Sequence, residues 1–230
     1  MHTVGNTVQE DADAQLPLLV IGNKRYSSWS LRPWLLLRMN AILFTEKRIS
    51  LYQGEYKQEI LRYSPAGKVP VLVDEAVVVW ESLAICEYAA ENFALHHGWP
   101  LDYRLRAQAR AICGEMHGGF AALRSECGMN VARRPAAASL SVAASADVMR
   151  IKTMWADCLA HQGGPFLYGS FSIADAFYAP VVIRFDRYQL LDREDKTLQD
   201  YVDRMLALPP MQEWIAAGCA ETELLPQFEQ

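Results

Sequence analysis

Residues 65–85 read PAGKVPVLVDEAVVVWESLAI. Two β-rich runs, Pro70–Asp74 and Ala76–Trp80, meet at Asp74-Glu75, which predicts a tight hairpin. Pro70 opens the first run, where its missing N–H costs least, and it holds Val69 extended. Val69 then offers backbone groups that the ladder does not use and a ligand backbone can meet. The plainer reading is an ordinary strand-entry proline. From Ser82 the pattern turns helical and runs to Phe93. Glu81 and Ser82 therefore fall on a strand-to-helix turn. Ser82 can cap that helix, but a capping box wants Glu or Gln at position 85, and Ile85 is there. An acid and a hydroxyl together fit an anion-binding helix end.

Upstream, Leu18–Gly22 (LLVIG) reads as a buried strand. Trp29–Asn40 carries Leu31, Trp34 and Leu35 on a helical repeat, with Pro33 near its start. Phe44–Leu51 alternates weakly as a strand, and Glu55–Tyr63 reads as a short helix. The order is β-α-β-α-β-β-α. Downstream, His96–Pro100 (HHGWP) breaks the pattern as a candidate linker, and no strand follows Asp102. Tyr103–Cys127 and Ser145–His161 are long helical windows, the second ended by Gly163-Gly164-Pro165. Ser172–Tyr188, Thr197–Ala207 and Met211–Ala217 complete an all-helical part, and Arg133–Ser145 reads as an Ala/Ser-rich loop. The chain thus divides into a disordered leader (1–16), an α/β domain (17–95) and an all-α domain (101–230).

The 230 residues are 51% hydrophobic and 21% charged, an ordinary globular composition. The net charge of −5 argues against nucleic acid as the main ligand. No apolar run reaches the ~18 residues of a membrane span, and Met1–Gln15 lacks the apolar region of a secretory signal. Cys86, Cys113, Cys127, Cys158 and Cys219 are scattered and form no C-x-x-C, which predicts reduced, mostly buried thiols and a cytoplasmic location. None of the five histidines stands at metal-ligand spacing, so no metal is expected.

One further stretch carries chemistry: Tyr26-Ser-Ser-Trp-Ser-Leu-Arg32-Pro33, at the turn from the first strand into the first helix. A hydroxyl there has backbone donors and a positive dipole end beside it, a place that stabilises an anion. The simpler reading is that Ser27, Ser28 or Ser30 caps the helix.

The order and spacing of these stretches resemble the glutathione transferase superfamily, from roughly Leu18 to the C-terminus. That resemblance implies a thioredoxin-like N-terminal domain followed by an all-α domain. Val69-Pro70 matches the family's V-P pair, which carries a cis proline. Glu81-Ser82 matches its E-S pair, which holds the γ-glutamyl end of glutathione, and Ser172-Ile-Ala-Asp175 looks like its helical capping box. Ser27 and Arg32 have the serine-to-arginine spacing of serine-type zeta and tau members. The zeta motif S-S-C-S reads Ser27-Ser28-Trp29-Ser30 here, so Trp29 stands where zeta and beta members have cysteine. That departure counts against maleylacetoacetate isomerisation and against thiol–disulfide chemistry.

The resemblance implies that Ser27 is the catalytic hydroxyl, with Ser28 next in line and Tyr26 a minor competitor. It implies glutathione as co-substrate, bound by Lys68, Val69, Pro70, Glu81 and Ser82, and a small hydrophobic electrophile as second substrate. A zeta-type cis–trans isomerase and a non-catalytic binding protein of the same fold are the alternatives. The resemblance also implies a two-fold homodimer. The second-substrate pocket would draw on the helical domain; Tyr103, Arg110, Met116, Phe120 and Trp155 are candidates, each of which reads equally well as ordinary helix packing.

Overall fold

The computed structural model describes residues 16–229. The leader expected over residues 1–16 lies outside them, apart from Leu16.

Four strands form one sheet in the order β2-β1-β3-β4: β1 Leu18–Ile21, β2 Thr45–Arg48, β3 Val71–Asp74 and β4 Val77–Trp80. β1 pairs parallel with β2 and antiparallel with β3, and β3–β4 is the expected hairpin. Side chains alternate across a strand. Leu19 and Ile21 join the large core, whereas Val20 turns to the opposite face and packs with Ile49, Ile60 and Val71. Covered on both faces, β1 needs apolar residues at successive positions, which is why its sequence does not alternate.

Helices α1 (Ser28–Met39) and α3 (Ser82–Asn92) lie on the Leu19/Ile21 side, and α2 (Tyr56–Leu61) contributes Ile60 to the other. Beyond Asn92 the regular elements are helices: α4 Tyr103–Gly118, α5 Ala121–Glu126, α6 Val142–Gln162, α7 Ile173–Arg187, α8 Lys196–Ala207 and α9 Pro209–Ala220. Among the described residues, the only β-pairing there is two isolated bridges within Phe166–Ser170. This is the thioredoxin-like α/β domain followed by an all-α domain.

α7 packs against α1, α4 and α8 and is buried from Ile173 to Phe185. Asp175, fully buried, forms a capping box with Ser172. Its carboxylate accepts from Ser172 N–H and O–H, from Leu167 N–H and from Tyr201 O–H. The expected box is therefore present, and it also fastens the preceding loop and α8.

Two readings need correction. The window Tyr103–Cys127 holds two helices, because the chain turns at Gly119 and Phe120. A Cβ on Gly119 would stand 2.6 Å from the Glu115 carbonyl oxygen, and Phe120 takes a left-handed φ of 56°. α6 begins at Val142, where Ser141 Oγ accepts from Ala144 N–H, so the preceding loop is shorter than expected. The cysteines are free thiols and mostly buried, as expected: Cys86, Cys113 and Cys127 are buried, Cys158 partly so, and Cys219 is exposed.

Candidate active site in the interdomain cleft

The loop after β1 is set by contacts reaching across the sequence. Glu221, just past α9, accepts Lys24 N–H at 2.7 Å and Arg25 N–H at 3.0 Å. The Arg25 guanidinium returns bonds to the carbonyls of Gly218, Cys219 and Glu221. Asn23 bridges to Leu51, and its carbonyl accepts from Ser27 N–H at 2.8 Å. Ser27 thus reaches the mouth of α1 on a loop held from both domains.

Ser27 occupies the N-cap position, but its side chain makes no capping bond. The simple capping reading therefore fails for Ser27. Its hydroxyl instead donates to Ser30 Oγ at 2.7 Å, and Ser30 Oγ also accepts Gly22 N–H at 3.1 Å. Tyr26 is differently engaged. Its hydroxyl donates to Glu229 and accepts from Leu225 N–H, and burial, reinforced by Glu229, pushes the phenol pKa up.

Ser27, Ser28 and Trp29 line a cleft of about 1000 Å³ between the domains. Lys68 and Val69 form part of its sheet-side wall; Arg124, Met129 and Arg184 form part of the helical wall; Leu225 and Phe228 come from the C-terminal segment. A smaller hollow of about 160 Å³ opens beside it, lined by Trp29, Lys68, Val69, Pro70, Trp80, Glu81 and Ser82. Trp29, Lys68 and Val69 belong to both. The structure therefore brings together the five binding candidates around the hollow, with Ser27 in the adjoining cleft. The Val69–Pro70 peptide bond is cis.

Glu81 has φ 70°, a conformation uncommon for any residue but glycine. Its carboxylate lies 3.6 Å from His117 Nε2 on α4. Burial lowers the His117 pKa, and the nearby Arg32 lowers it further, so the imidazole is neutral at pH 7. The Glu81 charge is then not committed to an ion pair. Ser82 Oγ, buried, accepts from Arg32 Nη1 at 3.3 Å.

Arg32 is fully buried under Trp29. Its guanidinium lies 4.4 Å from the Trp29 ring and 4.6 Å from that of Phe177, and its Nε has no partner among the described residues. Burial, with the charges of Arg124 and Arg184, pulls its pKa down to about 9, and it remains a cation at neutral pH. Arg124 approaches the same indole at 4.5 Å, and His117 meets it edge-on. Trp29 thus stacks with two guanidiniums.

Of the residues considered for the second pocket, Met116, Phe120 and Trp155 are buried core, and Tyr103 is exposed. Arg110, also exposed, pairs with Glu87. None lines the cleft. Arg124, Arg184, Leu225 and Phe228 carry no motif that would have selected them, and only the packing of α5, α7 and the C-terminal segment brings them there.

Family models agree along the chain: one described as the glutathione S-transferase N-terminal domain matches residues 26–92, and the corresponding C-terminal domain matches residues 106–217. The chain belongs to the glutathione transferase superfamily. A probable maleylacetoacetate isomerase of Caenorhabditis elegans is 27% identical over 206 residues, covering 86% of this chain and 95% of that protein. Glutathione S-transferase 1 of Dianthus caryophyllus is 37% identical over 82 residues, 35% of this chain and 37% of that one. Among solved structures, a Burkholderia glutathione transferase homologue with bound glutathione superposes with a TM-score of 0.67 at 21% identity, covering 89% of this chain and 99% of the other. A diazinon-metabolizing glutathione S-transferase of Bombyx mori gives 0.70 at 15% identity, covering 89% and 98%.

Proposed function

We propose that the protein is a glutathione transferase in which Ser27 stabilises the glutathione thiolate for attack on a small electrophile. One observation carries this reading: the Ser27 hydroxyl stands at the mouth of α1 on the wall of a cleft that adjoins the hollow of Glu81 and Ser82.

A free thiol with pKa ~8.5 is only about 3% ionised at pH 7. Lowering it by about two units requires about 2.7 kcal/mol of preference for the anion. One hydrogen bond to a charged group is worth ~1.5–3 kcal/mol. The Ser27 hydroxyl, assisted by the helix end, is therefore sufficient. To serve the sulfur, Ser27 turns its proton away from Ser30. Ser30 keeps a hydroxyl proton of its own and can donate it to the oxygen that Ser27 has freed. The two hydroxyls then point in series at the thiolate, and each strengthens the other.

Glu81 takes the ammonium of the γ-glutamyl group and Ser82 its carboxylate. Val69 pairs with the cysteinyl backbone, Pro70 fixes the bend that presents it, and Lys68 meets a glutathione carboxylate. The sulfur attacks an electrophilic carbon in the main cleft, and the thiol proton leaves to solvent. The buried thiols fit a cytoplasmic setting, and the assembly is a two-fold homodimer.

The test is calorimetric titration with glutathione, followed by thiolate absorbance against pH. In Ser27→Ala the bound thiol's pKa rises by one to two units, roughly the worth of that hydrogen bond. An unchanged titration removes Ser27 as activator and passes the role to Ser28. A second reading, glutathione-dependent cis–trans isomerisation, is favoured by the Caenorhabditis elegans relative, and Trp29 in the cysteine position counts against it. Isomerisation of a maleyl compound assayed beside halide displacement separates the two.

A further inference from the structure

The charged side chains that line the main cleft are Lys57, Lys68, Arg124 and Arg184, all cations, and no described Asp or Glu lines it. In a chain of net charge −5 this is a local reversal of sign. No described carboxylate pairs with any of the four: each is absent from the ion pairs within 4 Å, which occupy other cations.

The two lysines stand on the sheet side, where the proposed glutathione carboxylate accounts for Lys68. The two arginines stand on the opposite, helical wall. Arg184 is 4% exposed and anchored by Cys127 O at 2.8 Å and Pro180 O at 3.0 Å. Arg124 is held loosely: its carbonyl contacts, His117 O and Gly119 O, are both at 3.4 Å, beyond the usual N–H···O range. Its flat side rests on Trp29. Arg32 lies behind the same ring, so three guanidiniums repel one another, none within 4 Å of a described carboxylate, and each has its pKa lowered by burial. An unpaired buried cation is costly, and a bound anion relieves that cost.

We infer that the second substrate is an anionic electrophile, a carboxylate-bearing molecule whose charged end is held by Arg124 with Arg184 behind it while its reactive carbon faces the sulfur. This refines the substrate class of the proposed transferase and rests on that reading. A guanidinium fork suits a carboxylate, and the apolar lining from Met129, Leu225 and Phe228 accommodates the body of the molecule.

Matched electrophiles test it: 4-chloro-3,5-dinitrobenzoate and its uncharged carboxamide. In each, the glutathione sulfur bonds to the ring carbon bearing chlorine, the C–Cl bond breaks, chloride leaves and the thiol proton passes to solvent. After division by the uncatalysed rates, kcat/KM for the benzoate should exceed that for the amide by about tenfold or more. Arg124→Gln should cut that ratio at least tenfold, and Arg124→Lys should keep part of it. Titration of glutathione-loaded protein with unreactive 3,5-dinitrobenzoate should show binding that Arg124→Gln weakens. Glutathione uptake with a ratio near one, or equal losses for both substrates in Arg124→Gln, overturns the anion assignment and leaves the transferase reading standing. Absence of glutathione uptake overturns both.

Discussion

Glu81 holds a left-handed backbone conformation that costs a non-glycine residue on the order of 1–3 kcal/mol. Such strain persists where the side chain has work to do. Glu81→Gly should unfold at an equal or higher denaturant concentration than wild type yet bind glutathione about tenfold more weakly by calorimetry. Its neighbour His117 adds a pH dependence. Because burial and Arg32 keep the imidazole pKa below its ordinary 6.5, the ring is neutral at pH 7 and takes up a proton only in more acid solution. The cation then pairs with Glu81 and competes with the ligand's ammonium. Glutathione affinity should therefore fall as pH drops below the imidazole's ordinary 6.5, and His117→Gln should flatten that fall; an affinity loss unchanged in the variant would exclude His117. Glu81 and Ser82 were legible in sequence because they sit together on one turn. His117 was not, because it meets Glu81 only across the packing of α3 and α4.

Helix α7 depends on one carboxyl. Asp175 serves four donors, and its removal leaves buried N–H and O–H groups unpaired, so Asp175→Ala should cost about 3 kcal/mol or more of unfolding free energy. Burial pushes the Asp175 pKa up to about 6 from an ordinary 3.8. Between those values the folded protein holds a proton that the unfolded chain has released, so this group's contribution to stability declines as pH rises through that window. The gap between wild type and Asp175→Ala should therefore be widest near pH 4 and narrower at pH 6 in urea titrations. The Ser172–Asp175 box was readable because both halves lie within one turn. The strands were readable for a similar reason: burial on both faces leaves an unbroken apolar run in β1. The break between α4 and α5 was not, because the apolar periodicity continues through Met116, Phe120 and Leu123 while the backbone turns at Gly119. Periodicity reports which side chains are buried, not whether the axis runs straight.

Over the whole molecule, the chain's two ends of the fold meet at the site. Glu221 holds the amides of Lys24 and Arg25, three and two residues before Ser27, so the loop that carries the candidate nucleophile's partner is set by a residue almost two hundred positions away. Glu221→Gln keeps the side chain's size but gives up one of two acceptors; kcat should drop several-fold with a smaller change in the glutathione KM. No local pattern announces such a contact, which is why the sequence reading found the first wall of the cleft and missed the second. That second wall includes Leu225 and Phe228, and Phe228 stacks on Tyr26 with ring centres 5.5 Å apart. The segment after α9 is therefore part of the cavity's architecture: trimming Phe228 to alanine strips the Tyr26 ring of its stacking partner and widens the opening beside it.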